Sequence, residues 1–224
     1  AAIYEHVITR EEQGLTATGW VRGVYPTEKT AREALAAGDL FVLEEEGRVL
    51  ASGRINQTQV YSYANAHWQY DAPPEQTMVL HTLVVEPTAS GRGLGTRFVG
   101  FYEDYARAHG CPYLRMDTNA QNQTARRLYA HLGYREADIV DCNFNGIRGI
   151  ELVCLEKKLE WRVFYGKNFW ATRGRGKPGV EISLGHRFRW GDADWRALSL
   201  YACAKGLVLD LAKHVPAEDV RRFV

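Results

Sequence analysis

The most constraining feature of this chain is a glycine-rich loop, Ser90–Thr96 (SGRGLGT). The segment before it, residues 78–85, is apolar and β-branched and is followed by the turn former Pro87, which predicts a buried strand. After the loop, aromatic residues recur at the spacing of one helical face: Phe98, Phe101, Tyr102 and Tyr105. The glycines therefore lie where a strand turns into the N-terminus of a helix.

A loop in this position is suited to binding an anion. The first N–H groups of a helix lack internal partners, and the macrodipole there is positive. Glycines let the backbone approach a phosphate closely, and Arg92 adds a positive charge. The spacing of Gly91, Gly93 and Gly95 differs from G-x-G-x-x-G and from the P-loop. By itself the loop is equally consistent with an ordinary strand-to-helix turn.

A second motif, Asn122–Tyr134, follows about thirty residues later. Its apolar positions form one helical stripe that ends at a glycine: Ala125, Leu128, Tyr129, Leu132 and then Gly133. Asn122 can cap this helix, and taken alone Tyr129 reads as a core aromatic residue. Together the two motifs describe a pyrophosphate cradle with an asparagine and a tyrosine beside it. That combination indicates transfer of an acyl group from coenzyme A.

On these motifs the chain resembles the GNAT superfamily of N-acetyltransferases over about residues 3–159. Gly93 and Gly95 match the family signature Q/R-x-x-G-x-G/A, although Ser90 replaces its leading Gln or Arg, which predicts weakened cofactor affinity. The stretch Asn122–Tyr134 matches N-x-x-A-x-x-L-Y-x-x-x-G-F/Y at every named position. The resemblance implies acetyl-CoA as cosubstrate and a small-molecule or peptide amine as acceptor.

The resemblance also implies an α/β (α+β) fold. The expected sheet is mixed, mostly antiparallel and twisted, with a splay between two central parallel strands and helices on both faces. Local patterns fit this order: a helix starting at the capping-box spacing of residues 9–12, a helix over 27–37, and hairpins over 41–55 and 139–155.

The cofactor-binding residues implied by the resemblance lie on the first central strand, the loop and the second motif. They are Leu83, Val84, Val85, Ser90, Gly91, Arg92, Gly93, Leu94, Gly95, Thr96, Asn122, Ala125 and Tyr129. Backbone groups of Leu83 and Val85 are expected to pair with the pantetheine arm. A backbone N–H near Leu83 is expected to bind the oxyanion of the tetrahedral intermediate.

Two catalytic residues follow from the resemblance. Tyr129 matches the general acid that assists the leaving thiolate, and an ordinary phenol is protonated at neutral pH. Val79 occupies the position where many relatives carry a glutamate base, so His81, two residues along the same strand face, is the candidate base. A water chain as base and a purely structural role for His81 remain open alternatives.

The acceptor site is expected to include Trp20, Tyr25, Asn56 and Trp68. Aromatic rings and amides suit an amine, and cation–π contact favours a cation. The same residues could equally be ordinary packing residues.

Residues 160–224 exceed what one such domain needs, so the chain divides into a catalytic domain, 1–159, and an extension or partial second domain of unknown function. The patterns of this small mixed segment predict a strand over 180–190, a helix or strand over 195–205 and a short helix over 216–224. The Arg/Gly run of residues 173–179 indicates a solvated loop.

Composition narrows the remaining possibilities. A net charge of +1 argues against a dedicated binder of nucleic acid or of an anionic membrane. No apolar run reaches the ~18 residues that span a bilayer, and the first residues lack a secretory pattern. The four cysteines lack metal-ligand spacing and fit a reducing cytoplasm. No metal is expected, and the protein is expected to be a monomer or homodimer.

Two functions are therefore compared. The first is an acetyl-CoA-dependent N-acetyltransferase, which Tyr129 and His81 favour. The second is a non-catalytic acyl-CoA-binding sensor, which Ser90 and the missing strand glutamate favour.

Overall fold

The computed structural model of the protein describes residues 1–144, 146–159, 180–203 and 206–215. Contacts divide the chain into two compact units, Ala1–Leu159 and Glu160–Val224.

The first unit contains four α-helices and six strands. The helices are α1 (Ala2–Glu12), α2 (Glu28–Ala36), α3 (Leu94–Ala108) and α4 (Gln123–His131). The strands are β1 (Leu40–Glu45), β2 (Arg48–Asn56), β3 (Thr77–Val85), β4 (Tyr113–Asn119), β5 (Arg135–Phe144) and β6 (Ile147–Lys158). Short 3-10 helices lie at Tyr61–Asn65, Pro74–Gln76 and Pro87–Ala89.

The six strands form one sheet in the order β1-β2-β3-β4-β6-β5. Every neighbouring pair is antiparallel except β3 and β4, which are parallel. These two strands pair only from Thr77 with Tyr113 to Leu80 with Met116. Beyond that point β3 pairs with β2 and β4 pairs with β6, so the two central strands separate. The predicted fold class, including the splay, is confirmed.

Helices cover both faces of this sheet, as expected. On one face α3 and α4 bury a core that includes Phe98, Tyr102 and Tyr129 against Leu80. On the other face α1 packs against Val84 of β3. Burial of apolar area on both sides is the main force that holds such a layered unit together.

The first helix begins earlier than its sequence pattern predicts. We expected a start near Thr9, but α1 already begins at Ala2. The hydroxyl of Thr9 donates to the carbonyl of Glu5 at 2.8 Å, within the helix. The capping-box spacing of residues 9–12 was therefore misleading, because a mid-helix threonine can satisfy its hydroxyl on the preceding turn.

A bulge interrupts β3 next to the splay. Between the pairs Ser52–Val84 and Arg54–His81, β3 has two residues where β2 has only Gly53. One of them, Thr82, has a φ of 51°. The extra residue shifts the alternation of side chains, so that Leu80, Leu83 and Val85 all contact the α3 core.

In the second unit, the described elements are three strands that form an antiparallel meander. They are β7 (Val180–Trp190), β8 (Ala193–Cys203) and β9 (Gly206–Lys213), in the order β7-β8-β9. β7 agrees with the predicted strand, and β8 shows that the stretch expected as helix or strand begins as a strand. The predicted helix over 216–224 and the loop over 173–179 lie outside the described residues.

The described residues contain neither a membrane-spanning helix nor a cluster of metal-ligating side chains. None of their helices is both long and apolar enough to cross a bilayer. Within the same residues, no three metal-ligating side chains come together.

Candidate active site

A small cavity of about 90 Å³ lies where β3 and β4 separate. Its lining comes from the loop after α1, both central strands, α4 and β6. The lining residues are Thr18, Trp20, Tyr25, Leu80, Thr82, Leu83, Asp117, Thr118, Asn119, Asn122, Ala125, Tyr129, Ile150 and Leu152. Six of the residues that we predicted for the site meet here: Trp20, Tyr25, Leu83, Asn122, Ala125 and Tyr129.

The glycine loop leaves the start of α3 uncapped. Gly93 is the N-cap residue, with a φ of 72°, and no side chain caps the helix. Gly91 also has a positive φ, 80°, so both positions favour glycine for conformational reasons. The loop residues from Ser90 to Gly93 are exposed. Unpaired N–H groups at an open helix N-terminus can bind a phosphate group.

Arg92 of this loop already has a partner in the structure. Glu45, at the end of β1, accepts hydrogen bonds from both Arg92 and Arg97. These two bonds lower the pKa of Glu45, and the bond from Arg97 has the larger effect. The charge of Arg92 is therefore shared with a carboxylate, and the backbone of the loop remains the main anion-binding group.

Several predicted cofactor residues have their side chains turned elsewhere. Val84 is buried against α1, and Leu94 is buried with Leu50 and Ala89. The side chains of Val84 and Leu94 are therefore not available to a cofactor. The edge of β3 that faces the splay has no β4 partner beyond Leu80, so its backbone is available to an extended ligand.

The second motif forms α4 and its cap. The Oδ1 atom of Asn122 accepts a hydrogen bond from the N–H of Ala125 at 3.1 Å, so Asn122 caps the helix and also lines the cavity. Tyr129 is buried, and no described residue hydrogen-bonds its hydroxyl. Burial, and then the negative charge of Asp117, raise the pKa of Tyr129. The phenol therefore stays protonated in the cavity.

Asp117 is the functional candidate that sequence reasoning missed. It lies on β4, lines the cavity and accepts a hydrogen bond from the hydroxyl of Tyr63 at 2.8 Å. Burial outweighs this bond and raises the pKa of Asp117 to about 6. A carboxylate with such a pKa is ionised at neutral pH and can accept a proton. The available signal was an acidic residue at the end of an otherwise buried strand.

The structure does not favour His81 as the base. His81 does not line the cavity, and its Nε2 lies 3.0 Å from Oδ1 of Asn56. Burial, followed by the charge of Arg54, lowers the pKa of His81 to about 4. A neutral imidazole with this pKa is a weak proton acceptor at neutral pH. His81 lies on the predicted strand, but its surroundings come from β2.

The four predicted acceptor residues do not form one group. Trp20 and Tyr25 line the cavity, and the Tyr25 hydroxyl hydrogen-bonds the Thr82 hydroxyl. Asn56 instead donates to Asp39 at 2.8 Å and contacts His81. Trp68 lines a different cavity, formed mainly by residues 59–72. The structure brings only Trp20 and Tyr25 to the splay.

A splayed pair of central strands with an uncapped helix N-terminus beside it is the architecture of acyltransferases that use coenzyme A thioesters. Residues 8–134 match the sequence pattern of the Acetyltransferase (GNAT) family. The chain therefore belongs to this family.

Two proteins with similar sequences are named as N-acetyltransferases. The chain is 28% identical over 98 residues to the uncharacterized N-acetyltransferase YycN of Bacillus subtilis, which is 44% of this chain and 62% of that protein. It is 38% identical over 58 residues to YhfO of the same organism, also an uncharacterized N-acetyltransferase, over 26% of this chain and 39% of that protein. The chain thus aligns with less than two thirds of either relative.

Two solved structures share the fold. An acetyltransferase of the GNAT family from Streptococcus agalactiae superimposes with a TM-score of 0.58 at 21% identity, over 70% of this chain and 86% of that one. The yncA structure of Salmonella typhimurium was solved with its cofactor acetyl-CoA. It superimposes with a TM-score of 0.51 at 18% identity, over 74% of this chain and 91% of that one.

Proposed function

We propose that the protein transfers an acetyl group from acetyl-CoA to a primary amine by direct attack in a ternary complex. The observation that carries the proposal is that Asp117 and Tyr129 line one cavity at the splay of β3 and β4. Membership of the acetyltransferase family supports it, as does the acetyl-CoA bound to the yncA structure.

In this proposal the cofactor spans the loop and the splay. The backbone of residues 90–96 and the start of α3 bind the pyrophosphate. The pantetheine arm pairs with the free edge of β3 at Leu83 and Val85. The thioester then lies in the cavity, where a backbone N–H near Leu83 stabilises the oxyanion.

The chemistry needs one proton acceptor and one hydrogen-bond donor. The amine nitrogen attacks the thioester carbonyl carbon, forms the N–C bond and gives its excess proton to the carboxylate of Asp117. The C–S bond then breaks, and the thiolate accepts a hydrogen bond from Tyr129. Because the pKa of Tyr129 is raised, we assign Tyr129 hydrogen-bond donation rather than complete proton transfer.

The acceptor is proposed to be a small-molecule or peptide amine. Its ammonium form suits a cavity that contains the Asp117 carboxylate and the rings of Trp20 and Tyr25. Attraction of the cation to Asp117 brings the acceptor into the cavity. The ammonium ion releases one proton to the solvent before the attack, and Asp117 takes the second proton from the nitrogen after the N–C bond forms.

The first experiment is calorimetric titration of the full chain with acetyl-CoA, with Gly93→Ala and Gly100→Ala as a matched pair. Gly93 has a positive φ at the start of α3, whereas Gly100 is exposed within α3 and has nothing within 4 Å of an added Cβ. We expect saturable binding by the wild type and by Gly100→Ala, and weaker binding by Gly93→Ala.

The second step is a thiol-release assay with acetyl-CoA and a panel of primary amines. Turnover with at least one amine supports the transferase, and binding without turnover on any amine supports the acyl-CoA sensor instead. Absence of saturable acetyl-CoA binding would overturn both functions.

A further inference from the structure

A second, larger cavity of about 700 Å³ lies in the first unit. All but one of its lining residues belong to residues 59–72, in the connection between β2 and β3. The exception is Arg115 of β4. This cavity shares no lining residue with the cavity at the splay. Its volume falls in the range of small-molecule binding sites.

Arg115 provides a buried positive charge at this cavity. The residue is 7% exposed, and its guanidinium donates to Oε1 of Gln59 at 2.6 Å and to the carbonyl of Tyr70 at 3.1 Å. Both acceptors are neutral. No described carboxylate lies within ion-pair distance of Arg115, although buried charges in proteins are normally paired.

The nearest buried carboxylate is already engaged by other groups. Glu156 is 2% exposed and forms an ion pair with Arg135. It also accepts a hydrogen bond from the N–H of Gln69 at 2.9 Å. Burial lowers the pKa of Arg115, and two carboxylates act against this effect: Glu156, its cross-strand neighbour on β6, and Asp71 in the cavity lining. Neither carboxylate forms an ion pair with Arg115. The guanidinium thus has room for an anionic partner from outside the chain.

A flat aromatic wall lies next to this charge. The guanidinium carbon of Arg115 lies 4.1 Å from the centroid of the Trp68 ring. The indole is held in place because its Nε1 donates to the carbonyl of Tyr63 at 2.9 Å and its ring meets the Tyr63 ring edge-on at 5.2 Å. A preformed cation beside a fixed aromatic surface suits a ligand with one anionic end and one flat apolar end.

A purely structural role explains only part of this arrangement. The bonds from Arg115 to Gln59 and Tyr70 attach the connection to β4, and a neutral donor could do the same. The charge itself has no function in that explanation. The guanidinium packs on Trp68 and lies opposite Glu156, but it has no carboxylate in ion-pair contact and faces an open cavity, where an anion can bind it.

We propose that this cavity binds a small carboxylate with a flat aromatic or apolar body. Arg115 binds the carboxylate through its guanidinium fork, and Trp68 packs against the body. The site is separate from the proposed transferase site, but Tyr63 joins them, since it lines this cavity and donates to Asp117.

The test compares carboxylates with amides of the same shape. The full chain, without acetyl-CoA, is titrated with benzoate and with benzamide, and with phenylacetate and phenylacetamide. Binding is read from the indole N–H resonance of Trp68, assigned by its loss in Trp68→Phe. We expect saturable shifts, with the carboxylates binding at least about tenfold more tightly than the amides, as charged hydrogen bonds predict.

Arg115→Met should reduce carboxylate binding to the level of the amides, while Arg32→Met, which removes an exposed arginine paired with Glu28, should change nothing. Equal affinity for acid and amide would overturn the proposal, as would an unchanged affinity in a folded Arg115→Met or an absence of saturation. The acid–amide comparison needs no variant, so it decides even if Arg115→Met does not fold. Acetyl-CoA is absent throughout, so failure here is independent of the transferase proposal.

Discussion

The surroundings of Asp117 make the ionisation of its carboxyl group less favourable. Its carboxyl is enclosed in the cavity and accepts one hydrogen bond, from Tyr63, while burial raises its pKa to about 6. The sequence placed this residue on a strand but gave no sign of its partner, because Tyr63 lies 54 positions away. The second motif was different, since Asn122 and Tyr129 are both on one local helix. Local sequence patterns therefore predicted Asn122 and Tyr129 but not Asp117.

Replacing Asp117 by Asn should remove the proposed base. We expect kcat to fall by about 10²–10⁴-fold, the usual contribution of a general base. In the wild type, kcat should rise with pH through about 6 as Asp117 loses its proton, and the variant should lack this rise. The measurement is a pH–rate profile. Asp138→Asn, at a carboxylate that lines neither cavity, is the control and should keep the profile; an Asp117→Asn variant with wild-type kcat would remove Asp117 from the mechanism.

The same substitution should raise stability at high pH. The folded-state pKa of Asp117, about 6, lies above the ordinary value of about 3.9, so the folded protein holds this proton more tightly than the unfolded chain does. The cost of ionising Asp117 therefore grows as pH rises from about 4 to 6 and is complete above 6. At pH 8 the unfolding free energy of Asp117→Asn should exceed the wild type by about 1–3 kcal/mol, and at pH 4 the two should agree. Denaturant titrations at both values test this.

Tyr129→Phe removes the hydroxyl and leaves the packing of the ring. Because the hydroxyl has a raised pKa and no described partner, we expect acetyl-CoA to bind as before. We expect kcat to fall by about 10–100-fold, as for one hydrogen bond to a developing charge. Single-turnover rates and titration calorimetry separate the two effects. Equal losses of affinity and rate would show instead that Tyr129 shapes the pocket.

The bulge in β3 is an element whose position depends on its partners. Two residues of β3 oppose Gly53, and Thr82 adopts a φ of 51°, although threonine carries no local preference for it. The strand itself was predictable from its apolar run. The bulge was not, because it depends on pairing with β2 and on the approach of α3.

Gly53→Ala should destabilise the protein where β2 meets α3. An added Cβ would lie 2.7 Å from Cε1 of Phe98, too close for any carbon contact. We expect a loss of about 1–3 kcal/mol in the free energy of unfolding, typical of overpacking a core. Gly100→Ala, which meets no atom within 4 Å, should cause no such loss. A double variant, Gly53→Ala with Phe98→Leu, should be less unstable than the sum of its single changes.

The chain as a whole divides at residue 159 into two compact units. The first holds the splay, the loop and both cavities, and its last strand is β6. The order of elements in this unit was predictable because most begin and end at local signals. The second unit carries no recognised motif, and its β8 strand had a pattern equally compatible with a helix. Its function therefore remains separate from the proposals made for the first unit.

A fragment of residues 1–159 should bind acetyl-CoA as tightly as the full chain. It retains Leu159, which is buried and whose N–H donates to the carbonyl of Pro112 at 2.7 Å. A fragment of residues 1–155 should not fold, because it loses the end of β6 that pairs with β4, residues 156–158, and the buried Leu159. Calorimetry and circular dichroism on both fragments test this. A folded 1–159 fragment without affinity would assign part of the cofactor site to the second unit.

The two ion pairs of Glu45 affect how the proposed binding of the cofactor depends on salt. In the free protein this carboxylate forms ion pairs with Arg92 of the glycine loop and with Arg97, which directly follows the loop. In the binding mode that we propose, the pyrophosphate replaces this internal counterion and not only mobile ions from the solvent. Fewer salt ions are then released than two free arginines would release. We therefore expect the affinity for acetyl-CoA to depend only weakly on ionic strength.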